Sequence, residues 1–187
     1  MKKQNLIIFI IFFLNTTNLF AKTENTSNKK NICQILKHHP NWRNSLKRVN
    51  KKYNISPAFT LAVIHQESKF HANAKNRHSS AFGYAQALDG TWKIFQKTVK
   101  PNAKRNDFND SVEFVDWYMS QLTHNLHLKT SNSFNLYLAY LLGEGGYKNY
   151  INNSYQNSNS IQKKEAIAAK VRLKTQVYNL ELKDCKI

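Results

Sequence analysis

The amino-acid sequence predicts a mainly α-helical protein that folds as a single domain. Apolar residues recur at a spacing of three and four over most of the chain, whereas few segments alternate as strands do. The chain has 187 residues, enough for one compact core, and contains no repeat or glycine-serine linker that would mark a second domain. The periodicity predicts helices over residues 32–52, 57–69, 90–98, 110–126, 134–142 and 163–182.

The amino terminus has the features of a secretory signal. Two lysines precede the continuous apolar run 6–14, and Ala21 ends a stretch that suits cleavage, so residues 1–21 are predicted to be a signal peptide. A run of nine apolar residues is far shorter than a membrane-spanning helix, which needs roughly 20. We therefore expect a periplasmic or secreted protein with no stable membrane span after processing, rather than an uncleaved membrane anchor.

The segment that follows differs in composition from the rest of the chain. Residues 22–31 are rich in Asn, Ser, Thr and Lys and lack an apolar period, so we expect a flexible lead before a domain at 32–187. The two cysteines, Cys33 and Cys185, lie near the two ends of that domain. An exported protein meets an oxidising compartment, so we expect a disulfide, with two free thiols as the alternative.

The chain is strongly basic. It has 28 Lys and Arg against 11 Asp and Glu, a formal charge of +17. Such a charge favours an acidic partner, which could be nucleic acid, an anionic membrane surface or the acidic stem peptides of a bacterial cell wall. Part of this positive charge also reflects a composition that is rich in Asn, Lys and Ile throughout. Because nucleic acid fits poorly with export, we expect no nucleic-acid partner.

The second predicted helix carries a carboxyl group in an apolar setting. It begins with Ser56, a suitable N-cap, and with Pro57 at its first position. Phe59, Val63 and Glu67 are spaced by four and therefore share one face. A carboxyl group there loses water, which raises its pKa toward that of a general acid. The alternative is a solvated or salt-bridged glutamate near a helix end.

The segment before the third predicted helix contains groups that suit a sugar. Gly83 lets the backbone approach a ligand closely, and the ring of Tyr84 can stack on the apolar face of a sugar. Gln86 offers both a donor and an acceptor. This composition is typical of carbohydrate binding, although an ordinary turn before a helix has the same residues.

The apolar pattern of the predicted helix 110–126 is explained by packing in the core. Its apolar residues at helical spacing are Val112, Val115, Met119 and Leu122. Residues 101–110 before it are polar and lack a period, so they are predicted to form a surface loop. His124 and His127 could touch one ion, but no third ligand accompanies them, and no metal or cofactor is predicted.

A third segment combines an apolar helix with glycines. Three of the five glycines of the chain stand between Leu142 and Tyr147, together with Glu144. Glycines at this density indicate a specific local backbone conformation, and the alternative is a simple helix C-cap.

Taken in order, these three segments resemble the catalytic domain of the soluble lytic murein transglycosylases, in a divergent branch of the lysozyme-like superfamily. The matching motifs are Glu-Ser at Glu67-Ser68, Gly-x-x-Gln at Gly83-Tyr84-Ala85-Gln86, and Ala-Tyr-Asn-x-Gly at Ala139-Tyr140-Leu141-Leu142-Gly143. The similarity spans residues 56–150, and Leu141 stands where the family commonly has Asn.

The resemblance implies a lysozyme-like fold and cleavage of peptidoglycan glycan strands between N-acetylmuramic acid and N-acetylglucosamine. Water would take no part, and 1,6-anhydro ends would form. Glu67 would act first as acid and then as base, and Tyr140 would hydrogen-bond it. The residues expected to bind the substrate are Ser68, Gly83, Tyr84, Gln86 and Tyr140, with Glu144 and Tyr147 at the edge of the cleft. Because the domain is small, we hypothesise that it opens the wall locally for an envelope-spanning machine such as a secretion system.

Two other functions are left open. Glu144 could be a second catalytic carboxylate, which would make the protein a hydrolase like a goose-type lysozyme. Alternatively, the chain could bind peptidoglycan without cleaving it. A pure binding protein has no need of a desolvated acid at Glu67, so that residue separates the two classes.

Overall fold

The structure, a computed structural model, describes residues 31–152 and 158–185. Residues 1–30, which hold the predicted signal peptide and nearly all of the predicted lead, lie outside the described residues. The helices over the described part are α1 (Ile32–His38), α2 (Pro40–Tyr53), α3 (Pro57–Ser68), α4 (Asp89–Thr98), α5 (Phe108–Leu126), α6 (Ser133–Ile151) and α7 (Asn159–Lys183). The predicted mainly α fold is confirmed. None of these helices is both long and apolar enough to cross a membrane.

The predicted helix 32–52 is two helices in the structure. His39 separates α1 from α2, and Pro40 is the first residue of α2. A proline restricts the residue before it to non-helical conformations and cannot donate a backbone hydrogen bond, so the chain changes direction there.

Helix α3 runs through the centre of the molecule. Every residue from Ala58 to Ile64 is buried, and the helix packs against α2, α5 and α7. Phe59 and Val63, which share a face with Glu67, are both buried, and the other faces are buried as well because a helix surrounded by other helices is apolar all round. The last turn, which contains His65, Gln66 and Glu67, is only partly covered. The helix thus carries Glu67 from the core to the edge of the domain.

Helix α6 is longer than predicted and is interrupted. It continues to Ile151, but Gly143 has φ 70° and ψ 169°, which breaks the helical path. A positive φ is accessible to glycine at little cost, so the glycine-rich segment forms a break inside α6 rather than its end.

Two loops differ from simple surface connections. In the loop between α3 and α4, Phe82 forms isolated bridges with Lys75 and with Ala87. In the predicted surface loop 101–110, Ala103 is only 4 % exposed and α5 already begins at Phe108. The first loop is therefore held by bridges within its own backbone, and the second is partly buried.

The ends of the domain are tied together. Cys33 in α1 and Cys185 after α7 form a disulfide. Beside it, the backbone N–H of Ile32 donates to the carboxylate of Glu181 at 2.7 Å. These links hold α1 against the end of α7.

Candidate active site

Glu67 receives a hydrogen bond from a tyrosine on α6. The hydroxyl of Tyr137 donates to Oε1 of Glu67 at 2.6 Å. Tyr137 is itself almost wholly buried. Helix α3 brings Glu67 to the edge of the core and α6 supplies its partner, so the position of this carboxyl group depends on two helices that both pack against α5 and α7.

The surroundings of Glu67 favour its protonated form. Burial raises the pKa of Glu67 to about 7, although the hydrogen bond from Tyr137 and the charges of Lys69 and Lys164 act in the opposite direction. Desolvation opposes the charged form of a carboxyl group, whereas a donor and nearby cations stabilise it. Near neutral pH both forms are populated, which suits a group that gives a proton and then takes one back.

The hydroxyl of Tyr140 does not donate to Glu67, as the family resemblance implied it would. Its hydroxyl donates instead to the backbone carbonyl of Ala85 at 2.6 Å. The rings of Tyr137 and Tyr140 lie nearly parallel with centroids 6.0 Å apart. Residues three apart lie on neighbouring positions of one helix face, so one tyrosine reaches the acid and the other reaches the loop after α3.

The phenol of Tyr137 remains a donor. Burial, followed by the charge of Glu67 and their hydrogen bond, raises the pKa of Tyr137 far above its ordinary value. The pKa of Tyr140 is also raised, first by burial and then by Glu67. Both phenols therefore keep their protons at any pH at which the protein works.

Gly83 occupies a position that no other residue could take. Its φ is 78°, and a Cβ atom built on it would lie 2.0 Å from the carbonyl oxygen of Arg105. The backbone N–H of the next residue, Tyr84, donates to that same carbonyl at 3.1 Å. The close approach of the two chain segments fixes the shape of the loop that follows α3.

The side chain of Gln86 holds this loop together through hydrogen bonds to its backbone. Its side-chain nitrogen donates to the carbonyls of Ala74 at 2.8 Å and Gly83 at 3.0 Å. Gln86 has φ 49°, a left-handed conformation that is rare for a residue with a side chain. Such strain persists only where surrounding bonds enforce it, and it often accompanies a functional site. The amide oxygen takes part in neither of these two bonds.

Two of the predicted sugar-binding residues are packed into the protein. Tyr84 is 9 % exposed, and its ring meets Trp42 and Phe108 edge to face at 5.8 and 5.4 Å. The hydroxyl of Ser68 is buried and donates to the carbonyl of Ile64 at 3.1 Å. These contacts support the walls of the site, and they occupy the Ser68 hydroxyl and much of the Tyr84 ring.

The two weaker candidates lie beyond the break in α6. Glu144 receives hydrogen bonds from Lys148 at 2.6 Å and Asn125 at 2.8 Å. These two partners lower the pKa of Glu144, so it is ionised at neutral pH. Tyr147 was predicted at the edge of a cleft, but it is 3 % exposed and packs against Tyr150 in the core.

Two residues near Glu67 were missed by sequence reasoning. Tyr137 belongs to the same helix face as the motif tyrosine, so its spacing of three from Tyr140 was the available signal. Lys164 lies on α7 between the buried residues Ile161 and Ala168, and it is partly buried itself. No motif points to Lys164, because its relation to Glu67 exists only after α7 has packed on α3 and α6.

The chain is similar to a known protein family over nearly its whole length. The family described as "Transglycosylase SLT domain" matches residues 6–185. A comparison with curated proteins finds no match. The matched region includes the helix that carries Glu67, the loop closed by Gln86 and the tyrosines of α6. The mainly helical, lysozyme-like chain therefore belongs to the transglycosylase SLT domain family, whose activity is of the lytic transglycosylase type and whose substrate is peptidoglycan.

Proposed function

We propose that the protein is a lytic transglycosylase that cleaves peptidoglycan between N-acetylmuramic acid and N-acetylglucosamine and forms 1,6-anhydro ends. The observation that carries this proposal is the Glu67 carboxyl group, whose pKa is raised by burial to about 7 and which accepts a hydrogen bond from Tyr137. A group with that pKa serves as an acid in one step and as a base in the next.

The reaction needs one carboxyl group and no water. Glu67 gives its proton to the glycosidic oxygen, and the bond from that oxygen to C1 of the muramic acid breaks. The resulting carboxylate takes the proton of the C6 hydroxyl of the same sugar, and O6 forms a bond to C1. The products are a free hydroxyl on the leaving sugar and an anhydro ring. Glu67 ends the cycle protonated.

The state of Glu144 supports a mechanism with one carboxyl group rather than two. A hydrolytic glycosidase uses a second carboxylate to activate water or to attack the sugar. Both oxygens of Glu144 already accept hydrogen bonds, one from Lys148 and the other from Asn125. A carboxylate held in this way is a poor base for water, because its two partners lower its pKa.

Sugar binding is assigned to the loop that follows α3. Gly83 and the strained Gln86 set its backbone, and the side-chain oxygen of Gln86 is the acceptor that we assign to a sugar hydroxyl or acetamide N–H. The formal charge of +17 suits a polymer that carries acidic stem peptides.

We further propose that the protein acts in the periplasm or outside the cell, and that it opens the wall locally for an envelope-spanning machine. The apolar run after two lysines at the amino terminus supports export. A strain that carries Glu67→Gln would lose assembly or secretion if this role is correct. Normal secretion in that strain would contradict it.

The activity is tested on purified peptidoglycan with matched variants. Glu67→Gln keeps an acceptor for Tyr137 but cannot transfer a proton, so it should release at least a hundredfold less soluble product. Glu165→Gln is the control, because Glu165 also accepts from a tyrosine, Tyr150, at 2.7 Å. It should match the unmodified protein.

The products are identified by mass spectrometry. Anhydro ends released by the unmodified protein and by Glu165→Gln, but not by Glu67→Gln, support the proposal. Equal release by the two variants would contradict the role of Glu67. Binding of peptidoglycan without release by any of the three proteins would favour a non-catalytic wall-binding function.

A further inference from the structure

A groove lies between α3 and α7 on a face of the domain that the proposed reaction does not use. It encloses about 380 Å³. The α3 wall is formed by residues at spacings of three and four, namely Ala62, His65, Gln66 and Lys69. Glu67 stands five positions after Ala62, about 140° around the helix axis, and is not among the residues that line the groove. The groove and the candidate catalytic group therefore lie on different faces of α3.

The α7 wall has the same spacing as the α3 wall. Lys170, Leu173, Lys174 and Val177 follow one another at steps of three and one, and the buried Val171 lies beside them. Positions seven apart on a helix are separated by about 10 Å along its axis, and both walls span seven positions. Each wall thus extends over two turns, which is the length of contact that a third helix makes when it packs into a groove between two others.

The groove is apolar although part of it faces solvent. Ala62 and Val171 are buried, whereas Leu173 is 57 % and Val177 48 % exposed. Leu180, three positions further along α7, is 64 % exposed. Half of the six large apolar side chains that are exposed in the described part of the chain therefore follow one another on this one helix. A contiguous apolar surface of this kind is typical of a site that another molecule covers.

Positive charge flanks the apolar residues. Lys69 lies on one side of the groove and Lys170 and Lys174 on the other, and none of the described residues that line it is acidic. The amine of Lys69 donates to the carbonyl of His65 at 3.1 Å, and the amine of Lys174 lies 5.6 Å from the centre of the Tyr178 ring. The groove is therefore complementary to a segment that carries carboxylates on both sides of an apolar stripe.

The chain itself contains no segment of that chemistry outside the described residues. Residues 1–30 have five lysines against one glutamate, and residues 153–157 have no charged side chain. A second copy would bring a formal charge of +17 to a basic groove. An anionic membrane would attract the lysines, but a flat bilayer surface does not reach the buried floor of a groove. Charge and shape together favour an acidic partner protein.

We propose that this groove is a docking site for an acidic amphipathic helix of a partner protein. The apolar stripe of that helix covers Leu173 and Val177, and its carboxylates pair with Lys69, Lys170 and Lys174. A partner bound there holds the protein in place without covering the candidate active site. The proposal does not depend on the reaction that we assign to that site.

The test selects a ligand without fixing its charge in advance. A display library of helical peptides carries apolar residues at spacings of three and four, and Glu, Gln and Lys occur equally often at the flanking positions. The library is first depleted on the double variant Leu173→Ala with Val177→Ala and is then selected on the unmodified protein. The double variant keeps every charge, so depletion removes peptides that bind only to the net charge. The enriched peptides should carry Glu at the flanking positions.

The most enriched peptide is labelled, and its affinity is measured by fluorescence anisotropy. The double variant should bind it at least tenfold more weakly because the apolar contact is lost. Lys170→Glu should weaken binding about tenfold, because it places a like charge beside the carboxylates of the peptide. The matched controls are Ile94→Ala, an apolar residue 55 % exposed on α4, and Lys163→Glu, an exposed lysine of α7 outside the groove. Both should bind like the unmodified protein, and thermal melts check that every variant is folded.

Three results would overturn the proposal. The first is a library from which no peptide is enriched after depletion. The second is an equal affinity of the groove variants and their controls, which would show that only the net charge attracts the peptide. The third is binding of phosphatidylglycerol vesicles to the unmodified protein but not to the double variant, which would assign the apolar row of α7 to a membrane surface. Peptidoglycan cleavage is not measured, so the outcome is the same whether or not Glu67 is catalytic.

Discussion

The hydroxyl of Tyr137 lies 2.6 Å from Oε1 of Glu67, although 70 residues separate them in the chain. Glu67 lies in the last turn of the central helix α3, and Tyr137 lies in α6, which packs against α5 and α7. The acid therefore exists as a positioned group only when α3 and α6 are both in place. The orientation and the pKa of Glu67 therefore depend on the tertiary structure and not on its own helix alone.

Removal of the Tyr137 hydroxyl should alter the titration of Glu67. Tyr137→Phe deletes a donor that favours the carboxylate, so the pKa of Glu67 should rise and the alkaline limb of the rate profile should move upward. We expect kcat to fall about tenfold or more. Tyr140→Phe is the contrast, because its hydroxyl bonds Ala85. It should act mainly on KM, and a larger shift of the limb in Tyr140→Phe than in Tyr137→Phe would contradict this assignment.

The raised pKa of Glu67 should cost stability at high pH. The ordinary value of 4.5 applies to the unfolded chain, whereas the folded protein keeps this proton up to about pH 7. Between these values the folded state binds more protons, so the contribution of Glu67 to stability falls as pH rises. Glu67→Gln removes the titration. It should therefore be more stable than the unmodified protein by about 2 to 3 kcal/mol near pH 8.

Urea unfolding of both proteins at several pH values measures this difference. The comparison cancels the other titrating groups, including the buried Asp116, whose pKa is also raised. The difference should grow from pH 4.5 to pH 7 and be absent below that window. A difference that does not depend on pH would show that Glu67 is not desolvated.

Substitution of Gly83 should be far more damaging than substitution of another glycine. Gly83→Ala places a Cβ against the carbonyl of Arg105 and forces a side chain into a left-handed conformation. We expect a loss of about 3 kcal/mol or more, together with loss of activity. Gly90→Ala is the control, because nothing lies within 4 Å of its added Cβ in α4. It should be neutral or slightly stabilising, and equal damage at both sites would rule out the close approach at Gly83.

The disulfide should stabilise the domain as a whole. Cys33 and Cys185 enclose a loop with a sequence separation of 152, so the bond restricts nearly all of the unfolded chain. Replacement of both cysteines by serine should cost about 3 kcal/mol, or roughly 10 °C in Tm. A reducing agent should lower the Tm of the unmodified protein by a similar amount and leave the double variant unchanged. An equal response of both proteins to the reducing agent would contradict this effect.

The sequence was sufficient to predict the helical fold and the raised pKa of Glu67, because both depend on local patterns. Helical periodicity placed most of the elements, and the spacing of Phe59, Val63 and Glu67 identified the desolvated carboxyl group. The helix that carries it is buried on all sides rather than on one face. That difference comes from the packing of α5 and α7 around α3, which no single segment encodes.

The partners of Glu67 could not be predicted in the same way. The choice between Tyr137 and Tyr140 depends on how α6 is rotated against α3, and the motif alone pointed to the wrong tyrosine. Tyr84 was expected at the substrate because its ring suits a sugar, and Tyr147 because of the family resemblance, but both pack in the core. Lys164 shares no motif with Glu67, and only the packing of α7 relates the two residues.

The most direct test of the central claim is digestion of peptidoglycan by the unmodified protein in water enriched in ¹⁸O, with the new ends weighed by mass spectrometry. If a single carboxyl group acts as acid and then as base, the new ends should be anhydro ends. These are lighter than reducing ends by the mass of one water and carry no ¹⁸O. Reducing ends that contain ¹⁸O would contradict the account, because they would show that water, and not the C6 hydroxyl, attacks the sugar.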